Sequence, residues 1–269
     1  AVGGSFAAAA FSRCTFGGES LAGSDLSGAS FEGCLFSGDV LSGAVLDDAV
    51  FAGSSLDVPA SRGARMRKAF FNRCGFGGAF ELRGADLTSC VFMDCSFGAL
   101  GILESSLEFS VFRACTFASV KMMKSRGAGM QMTGLAIPAF TASASELPHS
   151  AFADSALRGA RFEGAVLDGA SFSGADLSGA VFAGSSAAKA VFTGAALKAA
   201  DLSGLSAPFA DFSRCDFTGA GCAGADLSSV NLHRAVGIDP RAPGMNAAGA
   251  RLTDRALARA EDFRPGFRK

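Results

Sequence analysis

Six copies of the pattern Phe-x-x-Cys-x-Phe hold the residues that could most readily do chemistry in this chain; they begin at Phe11, Phe31, Phe71, Phe92, Phe112 and Phe212. Thiolates bind zinc or iron–sulfur clusters and form redox pairs, so a row of cysteines could be a metal or redox site. No C-x-x-C pair is present, however, and the two histidines, His149 and His233, belong to no zinc-ligand spacing. The elements that carry the cysteines therefore decide what they do.

The cysteines belong to a repeat with a period of five residues. A large apolar side chain, which we call the centre of each unit, recurs at every fifth position from Phe6 to Phe76 and from Leu82 to Leu232, with few exceptions. One extra residue enters near Phe80–Glu81. Every fourth centre is alike, because one series is almost all Phe and a neighbouring series is mostly Leu. This second period predicts coils of four units, in which like side chains stack about 4.8 Å apart.

The units GADLS at 174–178 and 224–228 show the residue preferences around a centre: a small residue two before it, often Asp one before it, and often Gly two after it. These units resemble the consensus of the pentapeptide-repeat family, and the resemblance covers about residues 3–233. It implies an all-β fold, a right-handed quadrilateral parallel β-helix with one unit per side. We expect this repeat domain at 1–233 and a capping tail at 234–269. Within the tail, TDRALARAEDF at 253–263 predicts a short helix that covers the open edge.

In this register all eight cysteines point inward, either two residues before a centre or, for Cys222, at a centre. A straight row of thiols cannot give tetrahedral metal coordination, whereas cysteine fills small apolar spaces well. We therefore predict that all eight are buried, metal-free and reduced, which favours a cytoplasmic protein. Two pairs one coil apart, Cys14–Cys34 and Cys95–Cys115, lie within disulfide reach.

The sequence predicts no catalytic residue, no cofactor and no metal site. GAGCAG at 219–224 fits G-x-G-x-x-G, but its glycines belong to the repeat and no strand–helix turn is expected there. The carboxylates are scattered over the outside of the array, and a core this narrow is filled by its own side chains. The uncharged stretch 127–145 contains Gln131, Pro138 and several small polar residues, so we expect no membrane span.

Charge is unevenly distributed along the array. Residues 1–58 carry seven acids and one base, net −6, whereas residues 59–130 carry ten bases and five acids, net +5. The basic segments SRGARMRK at 61–68 and KMMKSR at 121–126 lie three coils apart, so they fall on one corner about 14 Å apart. This corner is either a docking stripe for an acidic partner or an ordinary solvated face. The candidate partner-binding residues are Arg62, Arg65, Arg67, Lys68, Arg83, Lys121, Met123, Lys124, Arg126 and Phe140.

Residues 118–150 form the least regular part of the array, which we call the belt. It has small centres at Gly127 and Ala142, two prolines, and Phe140 at a normally small position, so either a loop bulges out or the coil deforms. Partner choice needs a distinctive surface, and the belt and the basic corner are the expected ones. Exposed Phe109, Met123 or Phe140 could anchor a partner there.

These observations favour a non-catalytic protein–protein interaction scaffold or adaptor. The composition of the array resembles the C-terminal repeat regions of adaptors linked to type VI secretion, which implies a role in secretion or effector loading. The alternative is a DNA mimic that binds DNA gyrase, as some members of the family do. Those rods are acidic along their length, whereas this one has a basic band. No nucleic-acid partner is expected. An upstream domain of the same chain is expected, and a homodimer through the C-terminal tail stays open.

Overall fold

The computed structural model describes residues 3–58, 60–239 and 241–262. The strands are β1 (Ala10–Ser12), β2 (Thr15–Gly17), β3 (Ser30–Glu32), β4 (Leu35–Ser37), β5 (Val50–Ala52), β6 (Ser55–Asp57), β7 (Ala60–Arg62), β8 (Phe70–Asn72), β9 (Gly75–Arg83), β10 (Val91–Met93), β11 (Ser96–Leu103), β12 (Val111–Arg113), β13 (Thr116–Met123) and β14 (Phe140–Thr141). One helix, α1 (Arg255–Asp262), follows them in the described part of the chain.

The strands form two parallel sheets that wind around a common core. One sheet has the order β1-β3-β5-β8-β10-β12, the other has the order β2-β4-β6-β9-β11-β13-β14, and β7 also pairs with β9. Later coils continue as single parallel bridges, such as Ser171 with Val191 and Asp226 with Asn246. The predicted parallel β-helix is therefore confirmed.

Each coil has four sides, which we number by their centres. Side 1 carries the Phe11 series, side 2 the Phe16 series, side 3 the Leu21 series and side 4 the Leu26 series. The centres point inward and are almost all buried, while the residues on either side of each centre point outward. This alternation is the period-two pattern of a strand and explains why one large apolar residue recurs per unit.

The phenylalanines of side 1 form the predicted stack. Phe11, Phe31, Phe51, Phe71, Phe92 and Phe112 are register partners in successive strands. The rings of Phe51 and Phe71 lie 4.6 Å apart with planes 13° from parallel. Rings of side 2 meet this stack edge-on, as Phe92 and Phe97 do at 5.5 Å and 68°. Stacked and edge-on arrangements are both favourable for aromatic rings, so two ladders pack one core.

The extra residue of the repeat forms a β-bulge in β9. Phe76 pairs with Phe97, but Ala79 pairs with Ala99, so β9 holds one more residue than β11 between these pairs. The insertion therefore lies at Gly77–Gly78. The sequence pattern had indicated a position near Phe80–Glu81, three residues further on. The φ of Gly78 is +58°, a conformation that glycine adopts without strain.

The recurring Asp before a centre stabilises the turn that follows it. Asp25 Oδ1 accepts hydrogen bonds from the Ser27 backbone N–H at 3.1 Å and from the Ser27 hydroxyl at 2.6 Å. Asp86 makes the same pair of bonds with Thr88. The carboxylate thus satisfies a backbone donor at the corner, which gives the Asp-Leu-Ser units their physical reason.

The belt continues the coils without an extra loop. Arg126 bridges Glu146, and Thr141 bridges Arg161, in the same register as the coils before and after. Phe140 is 1% exposed, so the prediction that it lies on the surface is wrong. It continues a column of large buried side chains, because Phe80, Leu100 and Val120 are its register partners in the preceding coils. Phe140 therefore fills the core without shifting the register of the coil.

The array extends beyond its predicted end at 233. Asn231 bridges Arg251, and Ala242, Met245 and Ala250 pack against the last coils of the core. Helix α1 then begins after Asp254, whose Oδ1 accepts the backbone N–H of Ala256 and of Leu257. The predicted helix at 253–263 is confirmed at 255–262, whereas 253 and 254 precede it and 263 lies outside the described residues. None of its side chains is buried.

Candidate protein-binding surfaces

The cysteines are structural fillers with a hydrogen bond rather than a cluster open to solvent. Seven are buried, while Cys14 is half-buried, contrary to the prediction of eight buried thiols. Cys215 Sγ donates to Phe192 O at 2.8 Å. Ser155, at the equivalent position of another coil, donates from its Oγ to Met132 O at 2.7 Å. Burial raises the pKa of Cys215 to about 12. Cys and Ser side chains in this column can thus donate to the carbonyl of the preceding coil, whereas Leu135, Ala175 and Ala195 fill the same column without a donor.

All eight cysteines are free thiols. Within residues 3–58, 60–239 and 241–262, no group of three or more His, Cys, Asp and Glu side chains could hold a metal ion. No helix in this described part is long and apolar enough to cross a membrane.

The two basic segments align on the β-helix as their spacing predicts. Arg62 pairs with Arg83, Arg83 with Leu103, and Leu103 with Met123 along side 3. Along side 4, Arg65 and Arg126 belong to one column of bridges. The candidate residues nevertheless spread over sides 3 and 4 and over the corners that flank side 4.

Acidic neighbours form ion pairs with half of the Arg and Lys residues among the candidate partner-binding residues. Arg65 pairs with Asp47 at 2.8 Å, Arg67 with Asp86 at 2.5 Å, and both Arg83–Glu81 and Arg126–Glu108 approach to 3.8 Å. These pairs are exposed, so each contributes at most about 1 kcal/mol. The remaining cations have no carboxylate within 4.0 Å among the described residues: Arg62, Lys68, Lys121 and Lys124.

The Asp86 carboxylate illustrates this compensation. Partial burial alone would raise its pKa, but the Thr88 hydroxyl and then the Arg67 guanidinium donate to it, and its pKa is lowered overall. The outside of sides 3 and 4 therefore carries ion pairs interspersed with a few unpaired cations, Arg62 among them, and is not a continuous basic stripe.

Two of the three predicted anchors are exposed. Phe109 is 63% exposed at the corner between sides 4 and 1, and Met123 is 37% exposed on side 3. The Phe109 ring lies over Gly129, where an added Cβ would come within 2.8 Å of Phe109 Cδ1. Because Gly129 has no side chain, the ring lies flat on the corner. Phe140 is buried and cannot serve as an anchor.

The sequence analysis missed an apolar column on the outside of side 1, which we call the stripe: Val50, Phe70, Val91 and Val111. These residues are register partners in β5, β8, β10 and β12, so they lie on four successive coils. Val50 is 39% exposed and the others are half-buried. Ser30 precedes the stripe and Gln131 follows it in the same column. The signal was present in the sequence at a period of twenty residues, one position before each Phe centre.

Basic side chains flank the stripe. Lys68 lies at the corner before side 1, while Arg73 and Arg113 lie on the opposite edge. None of the three has a carboxylate within 4.0 Å in the described part of the chain. Asp48 and Asp94 occupy the same two corners on neighbouring coils. Between Arg13 and Arg73, a shallow cleft of about 340 Å³ opens over Gly33 and Gly53.

Farther along, side 1 holds helix α1. Glu261 accepts from Arg214 at 2.8 Å and from Arg234 at 2.9 Å, and Asp262 pairs with Arg234 at 2.8 Å. The Asp254 backbone N–H donates to His233 Nδ1 at 3.3 Å. A cleft of about 510 Å³ between helix and sheet is lined by residues of both, including Thr193, Asn231 and Leu257. The helix is therefore held mainly by charged groups at one end.

The comparisons with known proteins agree with this architecture. The family model for pentapeptide repeats (8 copies) matches residues 5–38, 149–182, 175–207 and 195–234. No curated protein matches the chain in sequence.

Several solved structures are similar to the chain. HetL, a pentapeptide repeat protein involved in heterocyst differentiation regulation from the cyanobacterium Nostoc, is 18% identical over 92% of this chain and 86% of its own, with a TM-score of 0.30. Full-length QnrB1, a plasmid-mediated fluoroquinolone resistance protein, is 17% identical over 93% and 96%, with a TM-score of 0.27. A thylakoid-lumen pentapeptide repeat protein of Arabidopsis thaliana is 29% identical over 48% and 74%, with a TM-score of 0.24.

The five-residue period, the four-sided coil and the Asp-Leu-Ser corners thus agree with the matching family model. The chain belongs to the pentapeptide-repeat family.

Proposed function

We propose that this chain is a non-catalytic protein-binding scaffold that acts through its outer surface. The observation that carries the proposal is the stripe on side 1, where four successive coils present Val or Phe to solvent. An ordered apolar column on an outer face has no role in the core. Contiguous exposed apolar surface on a folded protein is typical of an interaction site.

The interior supports this choice over catalysis. The centres of successive coils stack in contact, as Phe172 and Phe192 do at 5.0 Å, and leave no room for a substrate between them. The clefts described above lie on the outer surface and are lined by ordinary surface side chains. A partner must therefore bind from outside.

Free cations and exposed anchors add contact points elsewhere on the outer surface. Lys68 and Phe109 lie at the corner beside side 1, whereas Lys121, Met123 and Lys124 lie on or next to side 3, which faces away from the stripe. Lys68, Lys121 and Lys124 would attract an acidic partner and raise its association rate, while Phe109 and Met123 would contribute apolar contact. In its finer form, the proposal is a cytoplasmic adaptor that presents a bound protein for secretion or effector loading. The candidate partner-binding residues named in the sequence analysis remain part of this proposal, except Phe140, which is buried.

Affinity capture from cells that naturally express the chain tests this function. The tagged wild-type chain should retain a protein partner that is lost from Phe70→Asp/Val91→Asp, from Lys121→Glu/Lys124→Glu, or from both. Purified variants with unchanged circular dichroism serve as folding controls. If every variant retains the same partners as the wild type, and the chain inhibits gyrase supercoiling, DNA mimicry replaces this proposal.

A further inference from the structure

We propose that the stripe binds an amphipathic α-helix of a partner protein, laid along the β-helix axis with carboxylates on its flanks. This inference rests on the proposed protein-binding function and names the chemistry of the partner. It concerns the outer face of side 1 formed by β5, β8, β10 and β12.

The backbone of the stripe excludes an added strand. The N–H of Phe70 donates to Ala49 O at 2.9 Å, and the N–H of Val111 donates to Cys90 O at 2.8 Å. Each stripe strand pairs with the coil before it and the coil after it, so its backbone groups are already bonded. A segment on this face must therefore satisfy its own backbone, and a helix does so.

The spacing of the stripe fits the rise of a helix. Successive coils are about 4.8 Å apart, whereas one turn of an α-helix rises about 5.4 Å. A helix parallel to the axis thus places one apolar side chain per turn beside each coil. Over four coils the mismatch accumulates to less than about 2 Å. Side chains three or four residues apart, which share one face of a helix, would contact the stripe.

The flanking charges favour acidic groups on that helix. Lys68 lies on one edge of the stripe, and Arg73 and Arg113 lie on the other. All three lack a carboxylate within 4.0 Å among the described residues. Asp48 and Asp94 stand on adjacent coils of the same edges, so a helix with basic flanks would have fewer partners there. Carboxylates opposite the three cations would form charge-assisted hydrogen bonds.

The chain itself shows this mode of docking. Helix α1 lies against the outside of side 1, and its Glu261 and Asp262 pair with Arg214 and Arg234. These arginines stand two residues after a side 1 centre, the position that Arg73 occupies beside the stripe. Side 1 therefore already holds one helix through carboxylates and corner arginines, but without an apolar column beneath it.

A phage-displayed library of helical peptides tests the inference. Leucine is fixed at one position per turn over about four turns, and the flanking positions are randomised. Selection on the wild-type chain should enrich peptides with Asp and Glu on the flanks. In fluorescence anisotropy, Val91→Asp and Arg73→Glu should each weaken binding of the selected peptides by at least about tenfold. Val191→Asp, in the same column on a distant coil, should leave binding unchanged.

Three results would overturn the inference: no enrichment above that on Val91→Asp, basic flanks in the enriched peptides, or equal losses for Val91→Asp and Val191→Asp. Thermal unfolding of each variant separates lost binding from lost fold. If affinity capture from cells yields a partner but no helix is enriched, the helix inference fails and the scaffold function stands. If both experiments are negative, both proposals fail.

Discussion

The rings of Phe71 and Phe92 stack 4.8 Å apart with planes 8° from parallel, although a one-residue bulge separates their coils in sequence. Phe112 continues the stack at 4.7 Å from Phe92. The bulge at Gly77–Gly78 on side 2 therefore absorbs the extra residue before it can disturb side 1. Phe92 consequently has ring contacts in both directions along the axis.

Replacement of this central ring should destabilise the array strongly. We expect Phe92→Ala to lower the free energy of unfolding by about 3–5 kcal/mol, because two fixed coils prevent collapse of the cavity. Asp86→Ala, on the outer surface, should cost only about 1 kcal/mol, since the hydrogen bonds and the ion pair that it removes are partly exposed to water. Denaturant titration of both variants measures the difference. Equal losses would mean that the inward and outward positions are misassigned.

The bulge makes one glycine of β11 sensitive to substitution. A Cβ at Gly98 would lie 2.1 Å from Gly78 O, a backbone atom that cannot rotate away. Gly98→Ala should therefore lower the unfolding midpoint. Gly101→Ala is the matched control in the same strand, because its nearest neighbour would be Glu81 Cγ at an ordinary 3.5 Å. A control variant as unstable as Gly98→Ala would contradict the position of the bulge.

Acid should destabilise the array through its corner carboxylates. Hydrogen bonds from Ser27, Ser203 and Thr218 lower the pKa of Asp25, Asp201 and Asp216 respectively. A carboxyl whose folded pKa is depressed contributes stability above its unfolded pKa of about 4, and this contribution is lost as pH falls through the folded pKa. The unfolding free energy should therefore decrease below about pH 4.

Asparagine provides the control for this acid effect. Asn231 Oδ1 already accepts the backbone N–H of His233 at 3.1 Å in the manner of these aspartates. Asp25→Asn/Asp201→Asn/Asp216→Asn should keep the corner bonds but lose part of the acid sensitivity. Denaturation curves between neutral and acidic pH compare the two proteins. An unchanged pH profile in the triple variant would show that other groups cause the acid effect.

Thiol titration of the native chain should find one accessible cysteine. Cys14 is half-buried at the N-terminal end of its column, whereas burial raises the pKa of Cys34 and of Cys215. A thiol-specific reagent should therefore modify Cys14 first and should modify the other cysteines only after unfolding. Cys14→Ser should abolish the native reaction. Rapid modification of several thiols in that variant would contradict the burial of the column.

The fold could be predicted from sequence because its determinants are local and repeated. The five-residue period identifies the centres, and the twenty-residue period places Phe31 beside Phe51 without any tertiary information. The prediction that Phe140 is exposed was wrong because it considered this position without its register partners in the neighbouring coils. Its burial follows from its column, in which Phe80, Leu100 and Val120 are also large and buried. The end of the array was also misplaced, since Gly237, Ala242 and Ala247 occupy centre positions of the last coil instead of large apolar residues.

The surface was harder to predict than the core. Lys121 and Lys124 could be placed, but the pairing of Arg65 with Asp47 and of Arg67 with Asp86 depends on side-chain geometry between columns. The stripe escaped attention because Val and Phe next to a Phe centre look like core residues. Phe70, which points outward, is distinguished from Phe71, which points inward, only when equivalent positions in successive coils are compared.

Photo-crosslinking in cells tests the central claim, that the stripe on side 1 binds a protein, most directly. p-Benzoylphenylalanine would be placed at Phe70, within the stripe, or at Val191, in the same outward column on a distant coil. The account predicts a specific adduct with another protein from position 70 and none from position 191. No adduct from position 70, or the same adducts from both positions, would contradict it.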